Sequence, residues 1–232
     1  MFPFFFDSTM VLILPGMALA LWAQFKVKST FKKYSAFSSR SRMTADQVAR
    51  AIIRDGGLGV EVEQTRGDLT DHYDPRSRTL RLSDSTYGSS SLAAIGVAAH
   101  EAGHAFQHAN GYLPLSLRSN FVPVANLGSM LGMPLFFAGF LFQSGILLDI
   151  GILLFSFAVV FALVTLPVEF NASSRAIRIL SDGGYLTEDE IPAARTVLNA
   201  AAWTYMASAL MAMLHLLRML ILSGVLGGSR DD

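Results

Sequence analysis

The stretch SNFVPVANLGSMLGMPLFFAGFLFQSGILLDIGILLFSFAVVFALVTLPV, residues 119–168, carries a single charged side chain, Asp149, in fifty positions. A bilayer core of about 30 Å is crossed by about 20 consecutive apolar residues in a helix, so this stretch has room for two spans. Gln143-Ser144-Gly145 is the one cluster of turn-forming residues near its middle. It predicts one helix over residues 127–142 and another over 146–166, joined as a membrane hairpin.

Two further stretches reach spanning length. Residues 1–25 contain only Asp7 as a charge. Ala18-Leu19-Ala20 resembles a small-residue cleavage site, but a signal peptide wants positive charge before its apolar stretch, and here Lys26, Lys28, Lys32 and Lys33 follow it. An uncleaved anchor is the expectation. Residues 200–226 are apolar except for His215 and Arg218, which lie three apart on one helical face. Arg218 reads as a buried or snorkelling cation rather than a functional one.

Composition agrees with this placement and narrows the chemistry. The 232 residues are 52% hydrophobic and 16% charged, against about 25% charged in soluble domains. Eighteen Lys and Arg balance eighteen Asp and Glu, so no global field exists to attract nucleic acid. Cysteine is absent, which removes disulfides, thiolate nucleophiles and Cys-held metals. Any metal is held by nitrogen and oxygen. Between residues 26 and 50 stand seven Lys or Arg and one acid, Asp46. The positive-inside rule therefore predicts that the segment after the first span is cytoplasmic, with the N-terminus, the hairpin turn and the tail at 227–232 outside.

The polar stretch 26–118 reads as a small mixed domain. Thr44 with Gln47 three residues on is a capping-box pattern that opens a helix to about Asp55, and Gly56-Gly57 stops it. Residues 60–63 and 79–82 alternate apolar and polar around the turn at Asp74-Pro75, which predicts a short antiparallel sheet. Residues 89–110 are Ala-rich and free of Pro, and predict a helix ending before Gly111.

That helix carries His100-Glu101-Ala102-Gly103-His104. Two histidines four apart share a face about 6 Å along the axis, so both imidazoles reach one ion at about 2.0–2.1 Å. Glu101 sits about 100° around, where a base acting on metal-bound water would stand. From residue 85 to 117 it is the only acidic or basic residue besides His, and a carboxylate among apolar neighbours is costly unless it has a task. The competing reading is a core helix with satisfied histidines. His108 continues the face but lies about 12 Å from His100, too far for the same ion. Gln107 stands where the longer three-histidine motif has glycine.

Two carboxylates bordering apolar spans are candidates for a third ligand. The hairpin returns Glu169 to the side from which residue 127 departed, whereas Asp149 falls at the far interface, up to about 30 Å away. Topology favours Glu169; an interfacial acid at a helix N-terminus is its blander reading.

At these residues the chain resembles the YugP-like membrane zinc peptidases, also called neutral zinc metallopeptidase family 2. The resemblance rests on Asp71-His72-Tyr73-Asp74-Pro75, Leu80-Arg81-Leu82-Ser83, Ala98-Ala99-His100-Glu101-Ala102-Gly103-His104-Ala105 and Leu166-Pro167-Val168-Glu169-Phe170-Asn171-Ala172-Ser173. It implies Zn2+ at His100, His104 and Glu169, with Glu101 catalytic. It also implies a mostly α integral membrane protein of about four transmembrane helices, with a small α+β zincin-like region. More distant peptidases place an acid four residues after such a glutamate. Here Ser173 occupies that position, so the outer partner of the histidines stays unassigned.

These readings divide the chain into an anchor at 1–25, a cytoplasmic-side catalytic region at 26–120, a transmembrane hairpin at 121–168, a helix with the third ligand at 169–199, and a final span at 200–226. The expected activity is hydrolysis of peptide bonds in a protein or peptide substrate at an inner-membrane surface, with the lipid bilayer, other membrane proteins or further copies of the chain as partners. Arg175, His108 and Tyr205 are candidates to assist the reacting carbonyl, and the strand at 79–83 is a candidate to pair with an extended substrate. The alternatives are an intramembrane-cleaving enzyme using Asp149 and a non-catalytic adaptor with structural zinc.

Overall fold

The computed structural model describes residues 8–225. Asp7 and the tail at 227–232, to which the sequence assigned a side of the membrane, lie outside the described residues. A 3-10 turn, Ser8–Ile13, leads into α1 (Leu14–Ser35). Then follow α2 (Ala45–Asp55), β1 (Glu61–Thr65), β2 (His72–Asp74), β3 (Thr79–Ser83), α3 (Leu92–Ala109), α4 (Leu113–Leu141), α5 (Gly145–Asp182) and α6 (Ile191–Leu222). The chain divides into two compact units. One holds residues 8–23, 117–166 and 204–225; the other holds 24–116 and 167–203.

The first unit is apolar. Among the described residues, four helical segments are long and apolar enough to cross a membrane: Ser8–Ser35, Leu113–Leu141, Gly145–Asp182 and Ile191–Leu222. The hairpin turn falls where Gln143-Ser144 was expected, with Gln143 at φ +51°. The helices on either side are longer than their charge-free stretches. An apolar run measures only what lipid can surround, whereas backbone hydrogen bonding continues into polar sequence. Thus α5 does not end at residue 166. It continues through Pro167 to Asp182, 38 residues and about 57 Å, nearly twice the bilayer core.

Small residues let α4 and α5 approach closely. Gly128 and Gly132 are one turn apart, and a Cβ at Gly128 would strike the Leu154 carbonyl oxygen. Facing them, a Cβ at Gly151 would come within 2.6 Å of the Phe136 amide nitrogen. Close backbone packing of this kind replaces the hydrophobic drive that lipid removes. Phe136, Phe155, Val159 and Met219 form the buried cluster of this unit. Arg218 is buried, as expected, and its Nε donates to Thr9 Oγ1 at 3.0 Å.

The second unit is built around α3. Val48 and Ile52 of α2, Leu80 and Leu82 of β3, Ala176 and Leu180 of α5, and Ala194 and Leu198 of α6 enclose Ile95, Ala98, Ala99 and Ala102. The small side chains of α3 are what allow so many elements to surround one helix. Ser91 caps it, its Oγ accepting from the Ala94 N–H at 3.2 Å. At the start of α2 the expected box is present: the Thr44 side chain faces the Gln47 backbone N–H, and Gln47 Oε1 accepts from the Thr44 N–H at 3.0 Å.

The sheet corrects the antiparallel expectation. Its order is β1-β3-β2, with β1 parallel to β3 and only β2 antiparallel to it. Alternation predicts which residues share a face, and that is the same for either direction. Residues 66–71 carry the chain back so that β1 and β3 run the same way, and β2 pairs through the turn at Asp74-Pro75. Consequently β3 is the central strand and does not offer the free edge expected for residues 79–83. Its last amide is occupied as well: Ser83 N–H donates to Asp71 Oδ1 at 2.8 Å. The sheet edges belong to β1 and β2.

Candidate metal centre

Buried α3 presents His100 and His104 from consecutive turns, and the part of α5 in the same unit presents Glu169. The His100 Nε2 to Glu169 Oε2 distance is 3.2 Å, and His104 Nε2 lies 3.6 Å from the same oxygen. The two rings stand edge to face, 4.7 Å between centroids. One donor atom from each of the three residues falls within 4.8 Å of the other two. A tetrahedral ion with ligands at about 2.0–2.1 Å has its ligand atoms about 3.3 Å apart. The two histidine-to-carboxylate separations lie close to that, and the N, N, O donor set fits a zinc ion.

The helix that brings Glu169 in approaches α3 at Gly103. A Cβ there would come within 2.6 Å of the Ala172 carbonyl oxygen. The glycine inside the five-residue pattern is thus the contact that lets the two ligand-bearing helices meet. His104 and Glu169 are buried, and the His100 side chain is 12% exposed. Burial alone would lower the His104 pKa. The Glu169 hydrogen bond and the Glu101 and Glu169 charges outweigh it, so the imidazole holds a proton more firmly than usual.

The outer contacts are specific. His100 Nδ1 lies 3.1 Å from Ser173 Oγ, and His104 Nδ1 lies 3.0 Å from Gln107 Oε1. Gln107 is fully buried; its Nε2 donates to the Val168 carbonyl at 2.8 Å and to Asn171 Oδ1 at 3.0 Å. The sequence marked Gln107 only as a departure from a motif, and Asn171 only within a matched segment. The available signal was that Gln107 stands three residues after His104, on the same side of a helix without other polar excess.

The remaining candidates fall elsewhere. Glu101 is buried beside the histidines, and among the described residues no hydrogen bond or ion pair is made to its carboxylate. His108 stays outside the ligand set; its exposed ring takes Nδ1 to 2.8 Å from Tyr73 Oη. That pair borders a cleft of about 310 Å³ that Val60 and Arg78 also line. Arg175 donates through Nε to Asn171 Oδ1 at 2.7 Å and lies over the Tyr112 ring. Tyr205 belongs to the other unit. Asp149 is exposed in the first turns of α5 and likewise belongs to the other unit.

A membrane-embedded fold with a buried His, His, Glu cluster is the setting of a membrane metallopeptidase, and comparison with known proteins gives the same class. The profile of the family described as "Putative neutral zinc metallopeptidase" matches residues 9–224. The chain is 48% identical over 216 residues to "Putative membrane protease YugP" of Bacillus subtilis (strain 168), covering 92% of this chain and 96% of that one. No solved structure matches. The chain belongs to this family of neutral zinc metallopeptidases.

Proposed function

We propose that the protein is an integral-membrane zinc endopeptidase, with His100, His104 and Glu169 as the metal ligands and Glu101 as the general base. The observation that carries this reading is that Glu169 Oε2 lies 3.2 and 3.6 Å from the two imidazole Nε2 atoms, near the edge of a zinc tetrahedron, with the buried Glu101 carboxylate beside them. Zinc held there supplies an acidified water and a polarised substrate carbonyl. Glu101 takes the proton of the attacking water on a carboxylate oxygen and delivers it to the departing amine nitrogen. An extended substrate would pair with an edge strand, β1 or β2, rather than with central β3. The seven basic residues between 26 and 50 support a cytoplasmic face of the inner membrane for the site.

The test is metal analysis and cleavage of a fluorogenic unfolded protein by the purified chain in detergent. Wild type should hold one zinc and cleave. Glu101→Gln should keep zinc and lose cleavage by about 10²–10⁴-fold. Glu169→Ala should lose zinc, and Asp149→Ala should retain it. Loss of zinc only in Asp149→Ala points to the intramembrane-cleaving arrangement, and a Glu101→Gln variant with unimpaired function in cells points to an adaptor.

A further inference from the structure

We infer that Gln107 is a positioning residue that sets which nitrogen of His104 carries the proton, and so holds the Nε2 lone pair toward the metal; this rests on the zinc reading above. The argument runs through groups whose donor or acceptor character is not free to change. A guanidinium only donates, so Arg175 Nε, 2.7 Å from Asn171, fixes the Asn171 amide with its oxygen toward Arg175. That same oxygen accepts from Gln107 Nε2 at 3.0 Å. The Val168 backbone carbonyl only accepts, and it too receives Gln107 Nε2, at 2.8 Å. Two independent acceptors thereby turn the NH₂ of Gln107 away from His104 and its Oε1 toward it.

An amide oxygen accepts, so His104 Nδ1, 3.0 Å away, is the nitrogen that carries the hydrogen. Nε2 of the neutral ring is then a bare lone pair. It faces Glu169 Oε2 at 3.6 Å, beyond a good hydrogen bond. In the neutral ring Nε2 is thus the nitrogen able to share a cation with the Glu169 carboxylate. His100 lacks this restriction, because the Ser173 hydroxyl at 3.1 Å either donates or accepts. The two histidines are therefore not equivalent: His104 is oriented before metal arrives, and His100 adapts. Gln107 also joins α3 to the carbonyl beside Glu169, so a separate bracing role must be told apart from this one.

Two substitutions separate them. Gln107→Glu keeps an acceptor toward His104 but loses both donations to α5, whereas Gln107→Leu loses everything. The readouts are the ¹⁵N shifts of the His104 ring in zinc-free protein at alkaline pH, and the zinc dissociation constant by chelator competition. Wild type should show hydrogen on Nδ1. Gln107→Glu should keep it and bind zinc within about threefold of wild type. Gln107→Leu should lose the single tautomer and bind zinc about 10–100-fold more weakly. Hydrogen on Nε2 in the wild type overturns the assignment whatever the variants do. Equal weakening in both variants, with Nδ1 protonated throughout, reduces Gln107 to a brace and overturns it as well. A wild type with Nδ1 protonated but no zinc affinity would sink the zinc reading and leave the tautomer assignment standing.

Discussion

Gly103 of α3 lies against the Ala172 backbone of α5, so close that a Cβ would stand 2.6 Å from the carbonyl oxygen and 3.3 Å from its carbon. The obstacle is backbone and cannot rotate away. Gly103→Ala must push apart the helices carrying His104 and Glu169. The expected cost is about 1–3 kcal/mol of stability, with weaker zinc binding. Thermal unfolding and chelator competition on the purified variant check both. A variant as stable and as tight as wild type would contradict the packing.

Gly128 makes the analogous approach in the apolar unit, against the Leu154 carbonyl. Gly128→Val is expected to destabilise the α4–α5 hairpin by about 1–3 kcal/mol or more, because lipid offers no compensating hydrophobic gain. Loss of folded yield in detergent, relative to a substitution at exposed Met130, is the measurement.

Zinc should be a stability ligand as well as a cofactor. A site that binds the folded chain alone adds about 2.7 kcal/mol at a hundredfold excess over its dissociation constant. For a chain of this size that is a rise in Tm of about 5 °C or more. Zinc-stripped protein should show this rise on adding zinc, and His100→Ala should show none.

Glu190 ties the entry of α6 to residue 40 from a buried position. Its carboxylate accepts from the Thr187 N–H and hydroxyl, each at 2.9 Å, and from the Arg40 N–H at 2.8 Å. Burial alone would raise its pKa; these hydrogen bonds and the Arg40 charge lower it below the ordinary 4.5. A carboxyl lowered in the folded state stabilises fully above its unfolded pKa and ceases to do so as pH falls through the folded one. Glu190→Gln should therefore cost about 1–2 kcal/mol at pH 7, and the difference from wild type should shrink as pH falls below about 4.5. Thermal unfolding of both proteins from pH 7 to 3.5 tests the sign. A gap that widens toward acid would contradict it.

Much of the site was readable because its elements are local. Helical periodicity places His100 and His104 on one face whatever surrounds them, and the fifty-residue stretch with Asp149 alone announces two long apolar helices joined by a turn. Gln107 was visible only as an oddity, since a polar residue on an apolar helix does not reveal which backbone carbonyl it will meet sixty-one positions later.

The sequence by itself determined which stretches are long and apolar enough to cross a membrane and which residues of α3 share a side, because hydropathy and helical repeat act over neighbouring residues. Only the tertiary structure decided that β1 runs parallel to β3, that Glu169 meets the two imidazoles, and that Gln107 turns its oxygen to His104. Those relations join segments far apart in sequence, and their geometry depends on packing such as the bare backbone contact at Gly103, which no local pattern encodes.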